Sequence, residues 1–153
     1  MSGSVRGFTL VEMLVVLALM AGLVALVPGA YGKLQESMAW RAAVKEVHAA
    51  IRDARQEAMH TGVPTAFEVL PATGAFRVEN LRGERLPEST RVEMQVAAEF
   101  MREDWGRIVF YPDGSASGGT LILWRARGDG VFFEVDWLLG RVTHGSVTET
   151  EGT

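Results

Sequence analysis

Between Phe8 and Val27 the chain reads FTLVEMLVVLALMAGLVALV, twenty residues carrying one charge, Glu12. Wound as a helix at about 1.5 Å per residue, the run is about 30 Å long, the thickness of a bilayer's hydrocarbon core. From residue 13 to 27 it is apolar on every face, and a 153-residue chain offers no core large enough to wrap it. A cleavable secretory signal fits poorly. Arg6 alone supplies the basic region, and a cut after Ala30 would set Pro28 in the upstream specificity position. Glu12 also argues against a plain anchor, because an ionised carboxylate costs up to about 2.5–3.5 kcal/mol at mid-bilayer. No Lys or Arg follows within a helical turn to offset that cost. A cut between Gly7 and Phe8 would create a cation, the new α-amino group of Phe8, four residues before Glu12.

Past Pro28-Gly29, where the helix is expected to bend, the pattern becomes amphipathic. Leu34, Met38, Val44, Val47, Ile51, Ala54 and Ala58 recur at helical steps, with a gap at Arg41. Lys33, Glu36, Lys45, Glu46, Arg52, Asp53, Gln56 and Glu57 form the solvated side, and Gly62 and Pro64 stop the helix. The remainder reads as short strands: Thr65–Leu70, then 76–81, 91–97, 107–111, 120–125 and 131–135, each bounded by Gly, Pro or Asp. Pro71-Ala72-Thr73-Gly74 supplies the turn of a first hairpin. One long helix followed by about six strands predicts an α+β fold, with antiparallel sheet packed on the amphipathic half of the helix. The expected organisation is a leader over residues 1–7, an apolar helix over 8–30 and an amphipathic spine over 31–62. A β-rich head over 63–147 and a flexible acidic tail over 148–153 complete it.

Residues Arg6-Gly7-Phe8-Thr9-Leu10-Val11-Glu12 and the apolar run after them resemble the N-terminal signal of type IV pilins and type II secretion pseudopilins. A second resemblance lies in the head. Phe110-Tyr111-Pro112-Asp113-Gly114 with Ser115 to Thr120, and Val135-Asp136-Trp137-Leu138-Leu139-Gly140-Arg141-Val142, are similar to the globular domain of the GspH/FimT family of minor pseudopilins. The resemblance implies a pilin-like fold. It implies that a prepilin peptidase cuts after Gly7, that Phe8 becomes the N-methylated terminus, and that Glu12 pairs with the terminus of a neighbouring subunit while Thr9 helps position it. It further implies an inner-membrane, single-pass chain with a periplasmic head. The partners would be other minor and major pseudopilins and the inner-membrane assembly platform, and no cofactor is implied. The apolar helix would serve first as anchor and then as filament core.

Local patterns that tempt a chemical reading break down. Asp113, Ser115 and Ser117 open like a calcium loop, but its twelfth position is Trp124 where a bidentate Glu is needed. Gly114-Ser115-Ala116-Ser117-Gly118 imitates a nucleophile elbow with Ala at its centre. Arg127-Gly128-Asp129-Gly130 is a hairpin turn. His48 and His60 lie about 120° apart around one helix, and His144 reads as isolated. With no cysteine in the chain, thiolate chemistry and disulfides are excluded, and neither a catalytic nor a metal site is expected. Of the four tryptophans, Trp40 falls on the spine, Trp105 before a strand, and Trp124 and Trp137 in strands, with one of them expected at an interface.

Charge separates the remaining functions. Fifteen Lys+Arg against nineteen Asp+Glu leave −4, and because the first thirty residues hold only Arg6 and Glu12, all of it belongs to residues 31–153. DNA capture, the role of the FimT-like branch of type IV minor pilins, needs the opposite sign. That branch carries a Gly-Arg-x-Arg motif, whereas Gly140-Arg141-Val142-Thr143 has Thr in the second arginine's place. The expected role is therefore a type II secretion minor pseudopilin of the H type. It would sit below the outermost tip position, because it keeps Glu12, and help export folded proteins. The alternative is a minor type IV pilin serving pilus assembly or DNA uptake. An anchored solute-binding module leaves Glu12 unexplained.

Overall fold

The structure is a computed structural model that describes residues 9–25, 27–79, 81 and 83–149. It divides into two compact units, Met1–Ala39 and Trp40–Thr153. In the first, helix α1 (Leu10–Ala25) starts at Thr9, whose hydroxyl accepts the Glu12 N–H at 3.3 Å. This is the N-cap role of a Thr three residues before an acid. Every described side chain from residue 10 to 22 is exposed. Among the described residues no helix is long and apolar enough to cross a membrane. The 16 residues of α1 span about 24 Å, and Leu26, between α1 and helix α2 (Val27–Thr61), lies outside the described residues.

From Trp40 onward α2 belongs to the second unit. Its buried stripe is Trp40, Ala43, Val47, Ile51, Ala54 and Ala58, spaced by steps of three or four. This corrects the expected stripe at its start. Leu34 and Met38 are 60% and 63% exposed, and Trp40 and Ala43 fill the gap around Arg41. Alanines at 43, 54 and 58 give the sheets a smooth helical face to approach. The helix ends as expected, with the Gly62 N–H donating to the Ala58 carbonyl at 3.0 Å.

The strands are β1 (Thr65–Leu70), β2 (Ala75–Val78), β3 (Glu84–Arg85), β4 (Arg91–Gln95), β5 (Met101–Arg102), β6 (Trp105–Phe110), β7 (Gly119–Trp124), β8 (Asp129–Val135) and β9 (Val142–Thr148). They form two antiparallel sheets, in the orders β3-β2-β1-β6-β5 and β4-β7-β8-β9. The first hairpin closes over Pro71–Gly74, as the turn chemistry predicts, but β2 stops at Val78. Phe67, Val69, Ile108 and Phe110 from the first sheet meet Leu121, Leu123, Phe133 and Val135 from the second in one core with the helix stripe.

Two features depart from the sequence expectation. All of β1 from Thr65 to Val69 is buried, including Glu68. Its carboxylate lies opposite Arg77 on one neighbouring strand and Arg107 on the other, at 2.6 and 2.8 Å. Two cross-strand arginines compensate what an unpaired buried charge would cost. The second departure is β9, a polar edge strand that periodicity did not reveal. It runs to Thr148, and Glu149 beyond it pairs with Arg91 at 2.6 Å.

Candidate functional site

The two head segments singled out in the sequence come together. In the 111–118 loop, Asp113 Oδ1 accepts the backbone N–H and the hydroxyl of Ser115 at 3.0 and 2.6 Å. These bonds, the hydroxyl's first, hold the Asp113 carboxyl below its ordinary pKa, and they engage the group that a calcium loop would need free. The loop is joined to the β8–β9 turn where the Ala116 N–H donates to the Trp137 carbonyl at 2.9 Å. Within that turn, Asp136 Oδ1 accepts the Leu139 N–H at 2.7 Å. The Asp136 carbonyl takes the Gly140 N–H at 2.9 Å, and the Asp136 N–H reaches the Arg141 carbonyl at 3.0 Å.

Arg55 ties both segments to the helix. Its Nε–H donates to the Gly114 carbonyl at 3.2 Å and an Nη2–H to the Leu139 carbonyl at 3.1 Å. Periodicity assigned this residue to neither face. Gly140, at φ +56°, lets the turn pass close to Gly114 and to the Arg55 side chain, where a Cβ would collide with the Gly114 oxygen.

Around this junction lies a cleft of about 540 Å³, bounded by His48, Arg52, Arg55 and Gln56 on α2 and by residues 139–142 of the turn. Among the described residues its lining holds three arginines and no carboxylate. On its crest Trp137, Leu138 and Leu139 are 66%, 59% and 55% exposed. Trp137 therefore lies in a turn, not in the strand expected for it. His144 is not isolated either: its ring lies 4.7 Å from that of His48, and the Phe133 ring is 6.1 Å from both. Burial, then His144 and Arg52, push the His48 imidazole below its ordinary pKa. The contact bridges residues 96 positions apart, so nothing local signals it.

A second charged concavity, about 630 Å³ across the first sheet, is internally compensated. Glu68 holds Arg77 and Arg107, and the Arg77 guanidinium lies 4.6 Å from the centre of the Trp105 ring. Among the described residues no group of three or more His, Cys, Asp or Glu is placed to hold a metal ion. Of the residues predicted to carry processing and assembly, Gly7 and Phe8 lie outside the described residues. Thr9 and Glu12 form the first turn of α1, in the first unit, whereas the cleft is built from residues of the second.

Comparison with known proteins connects both parts of the chain. Residues 43–138 match the family described as type II transport protein GspH, and residues 3–27 match the prokaryotic N-terminal methylation motif. The chain is 31% identical over 147 residues to type II secretion system protein H of Xanthomonas campestris pv. campestris, covering 92% of this chain and 83% of that one. Its fold is similar to that of the type IV minor pilin FimU of Pseudomonas aeruginosa, with a TM-score of 0.54 at 15% identity, over 69% of this chain and 91% of that chain. It is also similar to the minor pseudopilin EpsH of the type 2 secretion system of Vibrio cholerae. There the TM-score is 0.52 at 10% identity, over 72% of this chain and 96% of that chain. At such identities the two structures speak for a pilin-like fold alone.

Proposed function

The chain belongs to the GspH family of type II transport proteins, and on that premise we propose that it is a minor pseudopilin. It would be a non-catalytic subunit near, but below, the tip of a periplasmic pseudopilus that helps move folded proteins across the outer membrane. The observation that carries this reading is the pairing, in one chain, of a GspH-type head with an N-terminal methylation motif. Prepilin peptidase cuts between Gly7 and Phe8 and methylates the new terminus. The apolar helix anchors the chain in the inner membrane until the assembly platform moves it into the fibre. There the Glu12 carboxylate meets a neighbour's α-amino group, with Thr9 ordering the first helical turn between them. The exposed apolar surface of α1 supports this role, because such a helix needs lipid or neighbouring helices around it.

The fold's likeness to FimU keeps a minor type IV pilin as the second reading. Thr143 and the net −4 weigh against its DNA-binding form. Deleting the gene in its own bacterium separates the two. The first reading expects exported proteins to accumulate in the periplasm while twitching and DNA uptake continue. Normal secretion with lost twitching or DNA uptake would establish the second.

A further inference from the structure

Three consecutive large apolar residues, Trp137, Leu138 and Leu139, stand exposed on a turn that is fixed from several sides. Asp136 closes it internally, Ala116 holds the Trp137 carbonyl, and Arg55 holds the Leu139 carbonyl. An apolar crest ordered in advance loses little conformational entropy when it is covered. Tryptophan and arginine are also the residue types that dominate interface energetics.

The crest borders the arginine cleft. The guanidinium groups of Arg52 and Arg141 have no hydrogen-bond or ion-pair partner among the described residues, whereas Arg77, Arg91, Arg107 and Arg125 each hold a carboxylate. Arg55 gives two of its guanidinium's five N–H groups to carbonyls, which leaves three. In a chain of net charge −4, a concave site lined with three arginines and, among the described residues, no carboxylate is matched to an anionic partner.

Resting on the pseudopilin reading, we propose that the crest and cleft form a docking surface for the head of another, different pilin-like subunit. That partner presents an apolar socket for Trp137 and Leu138, edged by Asp or Glu side chains that enter the cleft. A bilayer would also accept Trp, Leu and Arg, but a planar surface cannot enter the concavity where the arginines sit. A second copy in a two-fold contact would bring one arginine cleft against another.

The test places a photocrosslinking amino acid at position 137 or 138 of the full-length chain in living cells and identifies the adducts by mass spectrometry. The expected product is a conjugate with another pilin-like subunit, at a peptide flanked by Asp or Glu. Reversing Arg52 and Arg141 together (R52E and R141E) should cut its yield by at least about tenfold, as for loss of close interfacial charge pairs. Neither guanidinium has a partner in the described head, so the reversed chain should melt as wild type does. Adducts to lipid, adducts to a second copy, no adduct, or a yield that ignores charge reversal would each overturn the proposal. Secretion scored in the same cells separates the two levels. A chain needed for secretion that gives no adduct at 137 or 138 refutes the docking surface alone, whereas secretion unaffected by deletion refutes the pseudopilin reading.

Discussion

Replacing Gly140 by alanine tests how the candidate site is built. The residue sits at φ +56°, a conformation that costs a residue with a Cβ about 1–2 kcal/mol. The added methyl would overlap the Gly114 carbonyl oxygen and lie 3.0 Å from Arg55 Nε. That oxygen cannot retreat freely, because it accepts the Arg55 Nε–H at 3.2 Å. Losing a hydrogen bond from a charged donor costs about 1.5–3 kcal/mol. Together the two effects amount to about 2.5–5 kcal/mol. For a chain of this size that corresponds to a fall in melting temperature of roughly 5–20 °C. Thermal unfolding of the full chain in detergent, followed by circular dichroism and tryptophan fluorescence, measures it. Gly22→Ala is the control: beyond its chain neighbours and its own helical backbone nothing lies within 4 Å of the new methyl, and Gly22 is helical, so this change should not lower the melting temperature. Arg55→Met removes the same bond, and the double variant should lose less than the sum of the singles. A Gly140→Ala chain that melts within about 2 °C of wild type would refute the claim that Gly140, Gly114 and Arg55 lock together.

Two further outcomes follow from the processing signal and from the histidine contact. Gly7→Val should leave an uncut precursor in the inner membrane, while mass spectrometry of wild type finds a mature chain beginning at methylated Phe8; a chain beginning at Tyr31 would restore an ordinary signal peptide. His48 is held below its ordinary value of 6.5, chiefly by burial, so near that pH the unfolded chain takes up a proton that the folded head resists. Its contribution to stability is full above about pH 6.5 and is lost as pH falls below it. The melting temperature should drop on acidification from about pH 7 to 5.5, and His48→Gln should flatten that drop; an unchanged slope removes His48 as the cause.

Strands and turns with strong local chemistry were legible in the sequence. β1 and the turn at residues 71–74 fall where apolar runs and a Pro-to-Gly turn put them, and the helix stop at Gly62 follows from Gly and Pro alone. The helix stripe was legible from Val47 onward but misplaced at its start. Leu34 and Met38 carry a strong apolar signal without being buried, while Ala43 carries almost none and is buried. β9 escaped because Thr143, His144, Gly145 and Ser146 suit a solvated edge as readily as a loop. Of the candidate site, the resemblance marked the turn that holds Gly140 and Arg141. Arg55, and the meeting of His48 with His144, were invisible because they arise from chain closure across tens of residues. Thr9 and Glu12 were each read as assembly residues, and the contact the structure shows between them is a helix cap that the assembly reading had not anticipated.

The central claim, that the N-terminal carboxylate builds this chain into a fibre, is tested most directly by Glu12→Ala. Alanine is a strong helix former and keeps the backbone N–H that Thr9 accepts, so α1 should persist. Removing a charge makes the apolar run more compatible with lipid, so insertion and processing should proceed. On the proposed assembly role, the variant removes one side of a low-dielectric ion pair, a loss of about 3–5 kcal/mol, enough to empty one assembly register. Because the chain has no cysteine of its own, a single engineered cysteine can report its neighbours without background. The measurement is the crosslinking of full-length Glu12→Ala to partner subunits in cells at normal protein level, scored alongside secretion. The expected result is a processed, membrane-inserted chain that has lost both; a variant that crosslinks and secretes like wild type would contradict the assembly role of Glu12.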